Sequence, residues 1–91
     1  MGGSVIERET TIVNELGLHA RPAAELVKVA NQFDSHIEIL KDGMAVNAKS
    51  IMGVMMLAAE TGSTVIFRAD GPDAEAAVQA LAALVNKGFG E

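Results

Sequence analysis

Gly17-Leu18-His19-Ala20-Arg21-Pro22-Ala23-Ala24 is where the chain changes period. Before it, Thr10-Thr11-Ile12-Val13 is β-branched and reads as the end of a strand beginning near Glu7. After it, Ala23, Leu26, Val27, Ala30 and Phe33 fall at i, i+3, i+4, i+7 and i+10, one face of a helix. Asn14 to Gly17 breaks the strand, and Gly17 can take the positive φ that other residues resist. Pro22 suits a first helical turn, where its missing N–H costs little. The helix is therefore expected to start near Ala20, with His19 at about the N-cap.

Working outward, Ile37, Ile39, Val46 and Ala48 alternate with polar neighbours on either side of Asp42-Gly43. That pair predicts a type I′ hairpin joining strands at 36–41 and 44–48. Ser50, a favoured N-cap, precedes the short run Ile51 to Ala59, which ends at Thr61-Gly62. The run is apolar nearly all round, and Val54, Leu57 and Ala58 form its expected buried set. Val65, Phe67 and Ala69 alternate along a fourth strand at 63–69. Asp70 to Asp73 then opens a last helix whose apolar stripe is Ala74, Ala77, Val78, Leu81, Leu84 and Val85, ended by Gly88. The order β-α-β-β-α-β-α predicts a two-layer α/β sandwich, one sheet face covered by helices and the other wet.

Ninety-one residues are expected to make one domain, 1–91, with 1–6 a flexible terminus and 88–91 a tail. With no Trp or Tyr, and Phe only at 33, 67 and 89, the core must be mainly aliphatic. A net charge of −5 and no basic stripe argue against nucleic-acid binding. Cysteine is absent, which excludes disulfides and thiol chemistry and fits a cytoplasmic protein. No apolar run approaches a membrane span, and Met1-Gly2-Gly3-Ser4 does not read as a signal peptide. Two separated histidines make no metal site, and no cofactor is expected. No paired carboxylates, Ser–His–Asp set or phosphate-cradling glycine loop is legible either.

His19 and Arg21 remain. A helix N-terminus has unpaired backbone N–H groups and partial positive charge, so it attracts anions. A phosphate on His19 would sit among those donors, and Arg21 would add a charge-assisted contact. An ordinary capping histidine is the alternative at this point. His36, at the start of a strand, reads as solvent-facing filler. Ser50 is an N-cap that could also carry a regulatory phosphate. Ile51, Met52 and Met55 are either core or, since the short helix has too many apolar residues for one buried side, a partner-docking patch.

At these residues the chain resembles the HPr family, the histidine phosphocarriers of the bacterial phosphoenolpyruvate-dependent sugar phosphotransferase system. Gly17-Leu18-His19-Ala20-Arg21-Pro22-Ala23-Ala24 is similar to the family's active-site signature. Asn47-Ala48-Lys49-Ser50-Ile51-Met52-Gly53-Val54-Met55 is similar to its regulatory-serine segment. The resemblance spans roughly residues 8–87. It implies an open-faced sandwich with an antiparallel sheet in the order 1-4-2-3. It implies that His19 is phosphorylated through Nδ1, that Arg21 stabilises the phosphoryl group, and that Ser50 is the target of an HPr kinase/phosphorylase in lineages that have one. Ala20, Ala24, Ile51, Met52 and Met55 would form a docking face for enzyme I and enzyme IIA-type acceptor domains. Such a protein is a monomeric carrier, not an enzyme. The docking face looks less basic than in some relatives, with Lys28 and Lys49 near it but Asn31 and Gly53 neutral. The rival from another class is a small α/β enzyme sharing the topology, which predicts a deep pocket where a carrier predicts an exposed histidine.

Overall fold

The computed structural model describes residues 5–90. Strand β1 (Val5–Thr11) leads to helix α1 (Ala20–Ala30), the hairpin β2 (His36–Lys41) and β3 (Met44–Asn47), the short helix α2 (Ile51–Met56), strand β4 (Thr64–Asp70) and helix α3 (Ala74–Asn86). All strand pairs are antiparallel and the sheet order is β1-β4-β2-β3. The hairpin turn has φ of 50° at Asp42 and 82° at Gly43, the two positive values a type I′ turn requires. Among the described residues no helix is long and apolar enough to cross a membrane.

The alternation read in the strands determines which face is covered. Val65, Phe67 and Ala69 of β4 and Ile37 and Ile39 of β2 are fully buried under the helices. From α1, Ala23, Leu26, Val27 and Ala30 meet them, and from α3, Ala77, Val78, Leu81 and Val85. The opposite face stays wet: Arg68 bonds Glu38 there through Nε at 3.1 Å and approaches Glu7 at 3.7 Å.

Four expectations need correction. β1 spans Val5–Thr11, not Glu7 to Val13, because Val5 and Ile6 pair with Asp70 and Ala69 and the ladder closes at Thr11 opposite Thr64; the rest of the expected flexible terminus, 1–4, lies outside the described residues. β3 stops at Asn47, although Ala48 still donates to Ile37 O at 2.9 Å. α2 ends at Met56, and Ala58 takes a positive φ of 53°, so Ala58 is exposed and Ala59 is buried in its place. A helical count carried past the break places Ala58 inside. The expected tail is core: Phe89 is 4 % exposed and joins the main apolar cluster as the chain turns back at Gly88. Glu91 lies outside the described residues.

Asp73 does not cap its own helix; its carboxylate ties down the loop before β2. It accepts from the backbone N–H of Asp34 at 2.9 Å and of Ser35 at 2.9 Å, and from the Ser35 hydroxyl. The Ser35 hydroxyl, and then these backbone donors, hold the Asp73 carboxyl below its ordinary 3.8. Arg68 does the same for Glu38, against the smaller opposing effect of burial. A depressed folded-state pKa contributes stability that is present above the unfolded value and is lost as pH falls through the folded one. Urea titrations from pH 5 down to pH 2 should therefore show a shallower loss of stability in Asp73→Asn than in the parent chain. Equal slopes would remove Asp73 from the acid limb.

Candidate functional site

The junction before α1 is held by three hydrogen bonds. The Gly17 N–H donates to Asn14 O at 3.2 Å, and the Asn14 amide nitrogen donates to Gly17 O at 2.9 Å, closing a tight turn. Leu18 N–H then donates to Ala59 O at 2.9 Å, which fastens the turn to the segment after α2. Gly17 has φ 65°, and a Cβ built on it would lie 2.6 Å from Ala59 O. Only glycine lets the two backbones approach so closely.

His19 follows as the N-cap of α1 with extended backbone (φ −82°, ψ −169°). Its carbonyl accepts from Ala23 N–H at 2.7 Å, the first bond of the helix. Its imidazole makes no capping bond and is exposed. The local alternative of an ordinary capping side chain is therefore not what this ring does. The N–H groups of Ala20 and Arg21 precede the first intrahelical bond, and Pro22 contributes none. No acidic residue occupies the first turn. Arg21 is exposed and belongs to no ion pair among the described residues. The result is an exposed ring nitrogen beside backbone donors, a helix dipole and an uncommitted guanidinium, an arrangement suited to a phosphoryl group.

Ser50 caps α2 as expected: its Oγ accepts from Gly53 N–H at 3.0 Å. Ser50→Ala should cost about 1 kcal/mol, the usual value of such a cap. An unchanged denaturation midpoint would show the bond to be idle. Val54 is the buried face of α2, while Ile51, Met52 and Met55 are exposed by 46 %, 73 % and 44 %. Those three are thus surface, not core.

Met55 is the member of this set that shares a depression with His19. With Leu18, His19, Ala58, Ala59 and Glu60 it lines a surface depression of about 280 Å3. Ser50 stands at the start of α2 and the depression at its end, about 9 Å along the axis for six residues. Ala20 and Ala24 are exposed on α1. Lys49 does not offer its charge freely: its ammonium donates to Phe33 O at 2.7 Å, past the end of α1. Asn31 faces the same segment, its amide 3.4 Å from Lys49 O.

Sequence reasoning missed three residues here. Leu16 and Met56 are exposed by 54 % and 67 %, and Glu60 borders the depression. Met56 could have been found by counting round a six-residue helix. Glu60 could not, since it lies in an aperiodic loop whose position depends on the Leu18–Ala59 bond.

Comparison with known proteins bears on the same residues. The profile of a family described as "PTS HPr component phosphorylation site" matches residues 6–87. A phosphocarrier protein HPr of Cupriavidus necator is 53 % identical over 87 residues, 96 % of this chain and 98 % of the relative. The crystal structure of HPr-C-His from Thermoanaerobacter tengcongensis superposes with a TM-score of 0.92 at 48 % identity, covering 94 % of this chain and 97 % of that one. A structure described as an HPr dimer from the same organism gives 0.77 at 50 % identity, covering 88 % and 92 %. The shared sheet order, the near-complete coverage and a match that includes the His19 junction lead to one conclusion: this chain belongs to the HPr family of phosphocarrier proteins.

Proposed function

We propose that the chain is a histidine phosphocarrier that accepts a phosphoryl group on His19 from phosphorylated enzyme I and passes it to enzyme IIA-type acceptor domains. The observation that carries this reading is the exposed, uncapped imidazole of His19 at the acid-free N-terminus of α1. In the transfer, a neutral His19 nitrogen, Nδ1 by family resemblance, attacks the phosphorus in line. The donor's N–P bond breaks as the new one forms, and the His19 proton is released to the donor imidazole. Arg21 and the free helix donors offset the charge on the phosphoryl oxygens. Transfer between two imidazoles needs alignment and charge neutralisation more than acid–base help. One histidine and one arginine therefore suffice on this side, and the rest of the site comes with the partner. The carrier acts as a co-substrate and turns over nothing alone.

The exposed Ile51, Met52 and Met55, with Ala20 and Ala24, supply the docking face in this reading. Its apolar centre suits partners that must be released after each transfer, because methionine adapts to more than one surface. Ser50 is the proposed regulatory site. Its Oγ accepts from Gly53 N–H, and a phosphate there would bring new negative charge to the docking helix. The working form is a cytoplasmic monomer.

Incubation with phosphoenolpyruvate and catalytic enzyme I should place one acid-labile phosphate per chain on the peptide containing His19. No incorporation, or a phosphate mapping elsewhere, would overturn the reading. ATP-dependent labelling by an HPr kinase, lost in Ser50→Ala, tests the regulatory part.

A further inference from the structure

The depression beside His19 is lined by Leu18, Met55, Ala58 and Ala59 and by one acidic residue, Glu60. Glu60 is not a loosely placed surface acid at the level of its backbone. Its N–H donates to Ser63 Oγ at 3.1 Å, and its carbonyl accepts from Ser63 N–H at 2.9 Å. Its Cα would lie 3.0 Å from a Cβ on Gly17, two residues before His19. The neighbouring Ala59 carbonyl is bonded to Leu18 N–H. The turn that carries Glu60 and the turn that carries His19 are therefore fixed against each other.

A negative charge carried on that turn opposes the α1 N-terminus and Arg21. Those groups favour a dianion on His19, and Glu60 disfavours it. We propose that Glu60 raises the phosphoryl-transfer potential of the phosphate carried on His19. The inference rests on the carrier reading given above and assigns to this chain a residue that tunes how readily the phosphate leaves.

The consequence is thermodynamic and can be separated from docking. In the overall exchange, the P–O bond of phosphoenolpyruvate breaks, the N–P bond at His19 forms, and the imidazole proton ends on the methyl carbon of pyruvate. Enzyme I returns unchanged, so its affinity for the carrier affects the rate and not the equilibrium. Removing one negative charge from the lining of the depression should move the equilibrium toward the phosphorylated carrier by about threefold to tenfold at low salt. Screening should erase most of that difference at 1 M salt, where the Debye length falls to about 3 Å.

The experiment compares the parent chain, Glu60→Gln and Glu60→Asp, each equilibrated with phosphoenolpyruvate, pyruvate and trace enzyme I at about 10 mM and 1 M salt. Phosphohistidine is read by 31P NMR. The inference expects Glu60→Gln to be more phosphorylated at low salt only, with Glu60→Asp close to the parent. Equal parent and Glu60→Gln equilibria at low salt overturn it. So does a difference as large at 1 M as at low salt, which would mark a steric cause. A parent chain that takes no phosphate on His19 overturns the carrier reading itself, a result the other two outcomes cannot imitate.

Discussion

His19→Ala is expected to lose phosphate acceptance from enzyme I completely while keeping its fold. The ring is exposed and makes no capping bond, so its removal leaves no cavity and no orphaned partner. The helix start keeps its backbone bond from Ala23 N–H to His19 O and its buried Pro22. What disappears is the only nucleophile at that helix end. His36, the other histidine, cannot substitute. It stands on the wet sheet face with Nε2 3.6 Å from Glu38 Oε2, so a phosphate there would face a carboxylate without helix donors. His36→Ala should accordingly accept phosphate as the parent does. Arg21→Ala should remain competent but transfer roughly 10- to 100-fold more slowly, the value of one hydrogen bond to a charged group. Stopped-time labelling with phosphoenolpyruvate checks all three. Residual acid-labile phosphate on His19→Ala would move the site elsewhere.

The largest expected effect on stability is that of Gly17→Val. Valine there meets two separate penalties. A φ of 65° costs a β-branched residue about 1–2 kcal/mol. The Cβ at 2.6 Å from Ala59 O adds about 1–3 kcal/mol of overpacking, because the obstacle is backbone and cannot rotate away. Together they should destabilise the chain by about 3 kcal/mol and lower Tm by roughly 15 °C. Gly43→Val provides the contrast. Gly43 has φ 82° but no atom within 4 Å of a built Cβ, so it should show only the conformational penalty. Denaturant titration of both variants separates clash from strain. Equal losses would mean that the Gly17–Ala59 approach is not under steric pressure. Because the same approach fixes Leu18 and His19, Gly17→Val that still folds should also transfer phosphate more slowly.

Most of the architecture could be read from local patterns because each pattern has a single physical cause. Strand alternation in β2 and β4 reflects one buried sheet face, and the 23-26-27-30 stripe reflects one buried helix face. Asp42-Gly43 names its own turn, since both residues tolerate positive φ. The errors arose where periodicity stopped. Ala58 leaves the helical track at φ 53°, and Phe89 follows a chain reversal, so neither burial can be extrapolated from neighbours. The sequence places Lys49 near the expected docking face but does not show that its ammonium donates to Phe33 O at 2.7 Å.

By itself, the sequence determined the order of elements, the helix start at His19-Ala20, the Ser50 cap and the family of the chain. These depend on residue type and on spacing within a turn or two. Tertiary structure alone decided that the imidazole is exposed and uncapped, that Met55 and Glu60 share its depression, and that Lys49 is already bonded. The reason is that each of these places residues from different parts of the chain side by side. The Leu18–Ala59 hydrogen bond, across 41 positions of sequence, brings the two halves of the site together, and no local pattern encodes it.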